Sequence, residues 1–294
     1  MTENILKVQK SGKSRYTFSV LIPTWNNLDF LKLCINSINR NSHFDIQVIV
    51  IVNEGKDGTA DWLKAHGDID YVYSRTNIGI CFGLNSARSL VKSDYIVYVN
   101  DDMYLLPGWD TGLWAEIEEL GSRNFMLSCT MIEPRETGNP CVIVRDYGQD
   151  IESFKEEDLL KEYSALCVGD WNGSTWPPNL VHVDTWDLVG GLSIEFSPGM
   201  YSDPDFSMKL IEAGVRLFKG KGNSLVYHFG SKSTRRVKKN KGRKMFLLKW
   251  GMTSKTFTSK YLKIGEPYSG EVTIPELGWK SLLFNKLKRI KNAW

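Results

Sequence analysis

Tyr95-Ile-Val-Tyr-Val-Asn-Asp-Asp-Met-Tyr104 is the stretch that decides the fold. Its first five residues favour a pleated, buried strand. They run directly into the polar corner Asn100-Asp101-Asp102. In open α/β sheets, ligands bind at the edge where such strands end. Two adjacent acids there indicate a hard divalent cation, Mg²⁺ or Mn²⁺, shared with a substrate's phosphates. A solvated Asn-Asp turn is the alternative.

Strands and helices alternate in the residues before this corner. Apolar runs predict buried strands at 17–22 and 46–52, and apolar residues recur at helical spacing between them. The alternation indicates βαβ units and therefore an α/β fold with a Rossmann-like, mostly parallel central sheet flanked by helices. Right-handed crossovers then bring the strand ends at Pro23, Asn53 and Asn100 to one edge. We expect a nucleotide-sized cleft there. Neither a dinucleotide-binding glycine motif nor a P-loop motif occurs, so both of those functions are disfavoured.

Composition narrows the class of protein further. The chain has 294 residues, 42% of them hydrophobic and 24% charged, which is ordinary for a globular protein. A net charge of +3 gives no field that would attract nucleic acid, so no nucleic-acid partner is expected. The five cysteines are scattered without a paired motif, which suits a reducing cytosol. No signal peptide or membrane span is recognisable, so we expect a cytoplasmic protein that at most rests on the inner face of a membrane.

Six stretches, in order over about residues 18–249, resemble the family 2 inverting glycosyltransferases with the GT-A fold. They are Pro23-Thr-Trp-Asn26, Val52-Asn-Glu-Gly-Lys-Asp-Gly-Thr59, Asn77-Ile-Gly79 with Asn85, Asn100-Asp101-Asp102, Gly190-Gly191 and Tyr201-Ser-Asp-Pro-Asp-Phe-Ser-Met-Lys209. The chain departs from the family pattern at several positions. Asn53 and Glu54 replace aspartates of the second motif, and Ser202 replaces a glutamate of the last.

The resemblance implies a role for each stretch. Asp102 is expected to bind the cation, with Asp101 assisting it or contacting ribose. His228, which closes a late strand before a basic loop, is a third metal candidate because GT-A enzymes often place a histidine there. Asp203 matches the general base, and Asp205 is expected to be a structural helix-capping acid. The expected donor-binding residues are Pro23, Thr24, Trp25, Asn26, Asn53, Glu54, Asn77, Gly79, Asn85, Asn100 and Asp101.

The implied activity is metal-dependent transfer of a hexose from a nucleoside-diphosphate donor, with UDP-sugar favoured, to an acceptor hydroxyl with inversion. The acceptor would be a carbohydrate or a lipid-linked glycan, as in the synthesis of a cell-surface polysaccharide or glycolipid. Two alternatives stay open. The substitutions at Asn53, Glu54, Asn100 and Ser202 also fit a degenerate module that binds sugar nucleotides or a membrane surface without catalysis. A nucleotidyltransferase would share the sheet and the acids.

The predicted organisation is a polar lead-in at 1–16, one GT-A catalytic domain at 17–250 and a helical C-terminal extension at 251–294. Residues 17–102 form the nucleotide-binding half of the domain and residues 103–250 the acceptor-binding half. The basic run from Lys232 to Lys249 fits a solvated face, or a lid whose Lys232, Arg235 or Arg236 neutralises the diphosphate.

The end of the chain predicts a basic amphipathic helix. Leu283, Leu287 and Ile290 fall on one helical face, which basic residues flank. Such a helix is suited to an anionic membrane surface, and it is equally suited to docking on the catalytic domain. The irregular segment 171–178 carries two tryptophans, which could stack on sugar rings or lie in the interior.

Overall fold

The predicted strands of residues 17–102 form a continuous parallel ladder in the computed structural model, which describes residues 5–230 and 240–293. The strands of the described residues are β1 (Ile5–Val8), β2 (Phe18–Trp25), β3 (Ile46–Asn53), β4 (Asp70–Ser74), β5 (Tyr95–Tyr98), β6 (Met103–Leu105), β7 (Phe125–Glu133), β8 (Val142–Val144), β9 (Trp171–Asn172), β10 (Asn179–His182) and β11 (Leu217–His228). Parallel pairing joins β4 to β3, β3 to β2 and β2 to β5. Their carboxyl ends therefore share one edge, as predicted.

Helices cover both faces of this sheet. They are α1 (Leu28–Asn41), α2 (Thr59–Ala65), α3 (Gly79–Ala87), α4 (Trp109–Leu120), α5 (Glu156–Glu162), α6 (Val183–Leu188), α7 (Ser202–Glu212), α8 (Gly242–Trp250), α9 (Ser254–Thr256) and α10 (Trp279–Ala293). One core contains Val50 of β3 with residues of α1 and α4, and the other contains Ile51 of β3 with residues of α3, α7 and α8. Because neighbouring residues of β3 point to opposite faces and both faces are covered, the strand is apolar without interruption from Val48 to Val52.

The second half of the sheet is mixed rather than parallel. The strand order is β1-β4-β3-β2-β5-β10-β7-β11-β6, with β8 beside β7 and β9 beside β11. Strand β10 lies between β5 and β7 and is antiparallel to both. The expectation of a mostly parallel sheet therefore holds for residues 17–102 and not for the whole sheet. Short apolar strands carry no signal for their direction, and β10 reaches its place from far along the chain.

The polar lead-in expected at residues 1–16 is part of the sheet over residues 5–8. Strand β1 pairs antiparallel with β4 and forms the edge of the sheet. Beyond it, the buried Asp70 carboxylate accepts hydrogen bonds from the backbone N–H of Lys10 and from the backbone N–H and hydroxyl of Ser11. Polar side chains are common on edge strands, which is why this segment does not show as a strand in the sequence. Described residues 5–11 thus belong to the domain.

The C-terminal extension is helical, and α10 packs against α8. The contact is made by a polar face of α10. Asn285 is buried, and its Oδ1 accepts hydrogen bonds from the Thr253 backbone N–H and the Thr256 hydroxyl. None of the helices in the described ranges combines the length and the apolar character needed to span a bilayer.

Candidate active site

A cavity of about 250 Å³ opens at the carboxyl edge of the parallel strands. We call it the donor cavity, after the ligand expected there. Most of the residues expected to bind the donor or the metal line it: Pro23, Thr24, Trp25, Asn53, Asn77, Gly79, Asn100, Asp101, Asp102 and His228. Ile80, Pro198 and Gly230 complete the wall. The three polar corners predicted to meet at one edge therefore surround one cavity.

Hydrogen bonds between the corners fix the shape of this cavity. The Thr24 hydroxyl donates to the Asp101 carboxylate over 2.7 Å. Asn53 is buried at the end of β3, and its Oδ1 accepts from the Ile78 N–H over 2.9 Å. The Asn77 side chain caps the next turn in the same way, accepting from the Gly79 N–H. These side chains hold the polar rim in place before any ligand arrives.

Asn26 and Glu54 lie beside the cavity and do not line it. Both have the left-handed backbone that non-glycine residues rarely adopt, with φ of 50° and 65°. Their side chains bond to each other over 3.3 Å, and Asn26 also accepts from the Lys56 N–H. Hydrogen bonds from Trp25, Asn26 and Lys56 lower the pKa of the Glu54 carboxyl. The pair therefore shapes the loop next to Asn53. A contact between Glu54 and the base of the donor nucleotide stays a prediction.

Asn85 is placed away from the donor cavity. Its amide group bonds to both the carbonyl and the N–H of Leu192, over 2.7 and 2.8 Å. These bonds hold the chain after the Gly190-Gly191 pair against α3. The expected role in donor binding is therefore replaced by a structural one, since both ends of the Asn85 amide are engaged by the main chain of a distant segment.

Asp102 and His228 meet at the rim through sheet pairing. His228 ends β11, which pairs antiparallel with β6, and the Phe229 N–H donates to the Asp102 carbonyl. The His228 Nε2 lies 3.4 Å from Asp102 Oδ1, and its Nδ1 lies 2.7 Å from Glu133 Oε1. Burial disfavours the charged imidazole, but the attraction of Asp102 and hydrogen bonds to Asp102 and Glu133 raise the pKa of His228 to about 10.

This arrangement fits a divalent cation bound partly by the substrate. A carboxylate oxygen and an imidazole nitrogen face one cavity, and Glu133 holds the second imidazole nitrogen, as carboxylates do for metal-binding histidines. Within the described residues, no three His, Cys, Asp or Glu side chains are grouped so as to hold a metal by themselves. Such a site would use Asp102 and His228 together with diphosphate oxygens, which is a common way to bind Mg²⁺.

A second cavity, of about 290 Å³, contains Asp203. It shares Ile80, Asn100, Pro198 and His228 with the donor cavity, so the two are contiguous. Asp203 stands in the first turn of α7, and no described side chain hydrogen bonds to its carboxylate. Burial raises the pKa of this carboxyl to about 7. A group that exchanges a proton near neutral pH is suited to general base catalysis.

The other acid of the motif, Asp205, is structural as expected but does not cap the helix. It is fully buried inside α7, and its Oδ1 pairs with the Trp250 indole N–H over 2.8 Å and with the Lys249 ammonium over 2.9 Å. Through these two contacts, Asp205 holds α8 against α7. Asp203, two residues earlier, is directed to the cavity.

The two tryptophans of the irregular segment have different positions. Trp171 is buried, and its indole N–H donates to Thr130. Trp176 lines the Asp203 cavity, where its ring could contact a sugar. The proposed lid residues Lys232, Arg235 and Arg236 lie outside the described residues.

Glu133 lies beside the candidate metal site but belongs to none of the sequence motifs. It ends the buried strand β7, and the Thr137 hydroxyl donates to its second carboxylate oxygen over 3.1 Å. A polar residue that closes a long apolar strand is the same signal that marks Asn53 and Asn100. Nothing in the sequence, however, places β7 beside β11, so its contact with His228 could not be inferred.

Comparison with known proteins agrees with this geometry. The model of the family "Glycosyl transferase family 2" matches residues 19–163, which include the corners at Asn53 and Asp102. The chain belongs to glycosyltransferase family 2. The family 2 match covers the parallel ladder and the first part of the mixed half.

Individual relatives are distant and usually longer than this family 2 chain. Hyaluronan synthase of Pasteurella multocida is 24% identical over 218 residues, which are 71% of this chain and 20% of that protein. The chain thus spans only about a fifth of the length of that relative. Among solved structures, a mannosyltransferase of Pyrobaculum calidifontis in complex with GDP-Man and Mn²⁺ has a TM-score of 0.53 at 16% identity, covering 98% of this chain and 74% of that one.

A second solved structure, GalNAc-T7 with UDP, GalNAc and Mn²⁺, has a TM-score of 0.56 at 12% identity. It covers 84% of this chain and 50% of that one. At these identities, the two likenesses establish the GT-A fold of this family 2 chain and nothing about its substrates.

Proposed function

We propose that this protein is a metal-dependent, inverting glycosyltransferase that moves a hexose from a nucleoside-diphosphate donor to an acceptor hydroxyl. The observation that carries the proposal is the placement of Asp102 and His228, 3.4 Å apart, where the donor cavity adjoins the cavity of Asp203. The three side chains come from separate elements of the chain. Their convergence provides a diphosphate site and a base on adjoining cavities.

The donor half would bind the nucleotide. Trp25 and Asn53 line the cavity where the base and ribose would lie, and Asp101 is fixed by Thr24. Asp102 and His228 would hold Mn²⁺ or Mg²⁺, which supplies positive charge to the departing diphosphate. UDP is the favoured nucleotide, and the mannosyltransferase with GDP-Man shows that the fold also accommodates GDP.

The acceptor half would carry out the proton transfer. Asp203 takes the proton of the acceptor hydroxyl while its oxygen attacks the anomeric carbon. The bond from that carbon to the nucleoside diphosphate breaks on the opposite face, so configuration inverts in one displacement. The acceptor that fits best is a growing cell-surface polysaccharide or glycolipid, given the relative named hyaluronan synthase.

Two measurements test the proposal. One follows sugar transfer and hydrolysis with a panel of UDP- and GDP-sugars, and the other follows Mn²⁺ binding by calorimetric titration. The variant Asp102→Ala should weaken Mn²⁺ binding roughly 100-fold or more, because a direct ligand matters at least as much as its supporting groups. Asp61→Ala, which removes an exposed carboxylate of α2, is the matched control and should change neither quantity. Binding of nucleotide by the wild type without turnover would instead favour the non-catalytic module.

We further propose that α10 rests on an anionic membrane surface. Docking of α10 through Asn285 leaves its apolar residues outward, which supports this proposal because one helix can then dock on the domain and contact lipid. Leu283, Leu287 and Ile290 are each about half exposed. Lysine and arginine residues flank them, which matches an interfacial helix on anionic lipid. A membrane position would keep the active site close to a lipid-linked acceptor.

Sedimentation with phosphatidylglycerol vesicles tests this contact. Replacing Leu283, Leu287 and Ile290 by serine should reduce partitioning roughly tenfold or more, because their apolar area drives insertion. The matched control replaces three exposed apolar residues elsewhere, and these are Leu188, Ile194 and Ile274. Equal losses in both triple variants would show that α10 has no special part in binding.

A further inference from the structure

A third cavity, of about 530 Å³, lies between the start of α8 and the last turns of α10. Among the described residues, five cationic side chains line it and no acidic side chain does. The cations are Lys241, Arg243, Lys244, Lys288 and Lys291. The first three belong to the basic run that the sequence analysis singles out, and the last two come from the C-terminal helix. Two separate helices therefore direct positive charge into one space.

Four of the five cations of this cavity are poorly neutralised by the part of the chain that the structure describes. Among residues 5–230 and 240–293, no carboxylate lies within 4 Å of Lys241, Arg243, Lys244 or Lys291. Lys249 on the same helix provides a contrast, because it forms ion pairs with both Glu195 and Asp205. A concave surface lined by one sign of charge concentrates ions of the opposite sign. The cavity is therefore suited to an anion.

The basic cavity is fixed to the wall of the Asp203 cavity. Met200 lines both cavities. The Asn240 amide donates to the carbonyls of Phe196, Ser197 and Met200, over 2.6, 3.2 and 3.3 Å. At Gly242 the backbones are so close that a Cβ atom would lie 2.3 Å from the Met200 carbonyl oxygen. A molecule that extends past Met200 from Asp203 would thus enter the basic cavity.

We propose that this cavity binds a phosphate-bearing part of the acceptor while the acceptor hydroxyl lies at Asp203. This inference rests on the proposed glycosyltransferase function. Phosphate matches the cavity better than carboxylate does, because a diphosphate or a run of phosphodiesters places several charges in a short space, and Arg243 can bind two phosphate oxygens at once. The volume is large enough for more than one phosphate group. The phosphates would come from a phosphodiester polymer or from a lipid headgroup.

Binding of a short soluble inorganic polyphosphate to the full chain tests the cavity directly. The test variant combines Arg243→Gln, Lys244→Gln and Lys291→Gln. The control variant combines Lys7→Gln, Lys255→Gln and Lys260→Gln, which removes the same charge from exposed positions outside the cavity and outside α10. Measurements are made without divalent metal, because the donor cavity would bind phosphate through such a cation. Phosphatidylglycerol vesicles and polyglutamate of matched charge are the parallel ligands.

The test variant should bind polyphosphate roughly ten- to a hundredfold more weakly than the wild type, and the control variant should bind it nearly as well as the wild type does. A selective loss on polyphosphate identifies polymer phosphate as the source, and a selective loss on vesicles identifies lipid headgroups. Equal losses in both variants, no loss in either, or equally tight binding of polyglutamate would overturn the proposal. Thermal stabilisation by UDP with Mn²⁺ is measured separately, so failure of donor binding is distinguished from failure of this cavity.

Discussion

The two halves of the catalytic domain position their functional groups in different ways. In residues 17–102, polar side chains stand at the ends of consecutive parallel strands, and the strand order alone brings them together. In the part that follows, Glu133 and His228 are 95 residues apart and meet only because β7 and β11 pair in parallel. Asp203 reaches the same region from the first turn of α7.

The difference in construction corresponds to a difference in task. In the donor half, the proposed ligand site is built from short loops whose side chains bond to nearby backbone, as Asn77 does with Gly79. The acceptor half supplies groups whose pKa is shifted by their surroundings, through burial at Asp203 and through the neighbouring carboxylates Asp102 and Glu133 at His228. We therefore expect substitutions of the side chains that line the donor cavity, apart from Asp102, to change nucleotide affinity. Substitutions at Asp102, Glu133 and His228 should change metal binding, and substitution of Asp203 should change the rate.

The largest effect is expected at Asp203. Asp203→Asn keeps the shape of the side chain and removes the base, so transfer should fall by roughly 10²- to 10⁴-fold. Nucleotide and Mn²⁺ affinities, measured by calorimetry, should remain within about twofold of the wild-type values. Normal transfer by this variant would show that another group takes the proton.

Glu133 is expected to act on the metal through His228. Glu133→Gln removes the charge that holds the imidazole Nδ1, and loss of such a partner typically weakens metal binding by about 10- to 100-fold. Mn²⁺ titration followed by electron paramagnetic resonance measures this directly, without turnover. Glu152→Gln, at an exposed position, is the control. If the Mn²⁺ affinity of Glu133→Gln were unchanged, His228 would not be a metal ligand that depends on Glu133.

The sequence predicts the donor half closely, because local patterns decide it. The apolar runs before Pro23, Asn53 and Asn100 give three strands, and parallel strands must end at one edge. The cavity lined by all three confirms this reasoning. Local pattern also misleads in places. Asn85 matches a family position and yet is committed to the Leu192 backbone, which only the long-range fold reveals.

The mixed half is less predictable because its strands are short and distant in sequence. Strand β10 has four residues and carries no mark of its direction or neighbours. The family resemblance indicates Asp203 and His228, whereas Glu133 belongs to no motif and depends on the pairing of β7 with β11. The basic cavity beside Met200 likewise requires two helices that are separate in sequence.

The pH dependence of the transfer rate tests the role of Asp203 in the acceptor half separately from nucleotide binding in the donor half. As the proposed base, Asp203 would accept a proton only when ionised. Because burial raises its pKa to about 7, the transfer rate should rise about tenfold per pH unit below pH 7 and level off above it. An unperturbed aspartate, with a pKa of about 3.9, would give a flat profile over the same range. Nucleotide binding over pH 5.5–8.5 provides the control measurement. A profile that is flat near pH 7 would contradict the assignment of Asp203.

Asn85→Ala should affect stability rather than function, and it gives the smallest catalytic effect. The substitution leaves the Leu192 N–H and carbonyl without their side-chain partners, which should lower the free energy of unfolding by about 1–3 kcal/mol. Asn77→Ala is the informative comparison. Because Asn77 lines the donor cavity, its substitution should lower nucleotide affinity instead. Chemical denaturation and nucleotide titration of both variants separate the two effects. If Asn85→Ala lost as much nucleotide affinity as Asn77→Ala, Asn85 would have to contact the donor. The distinction between residues that bind ligand and residues that hold the loops together would then fail.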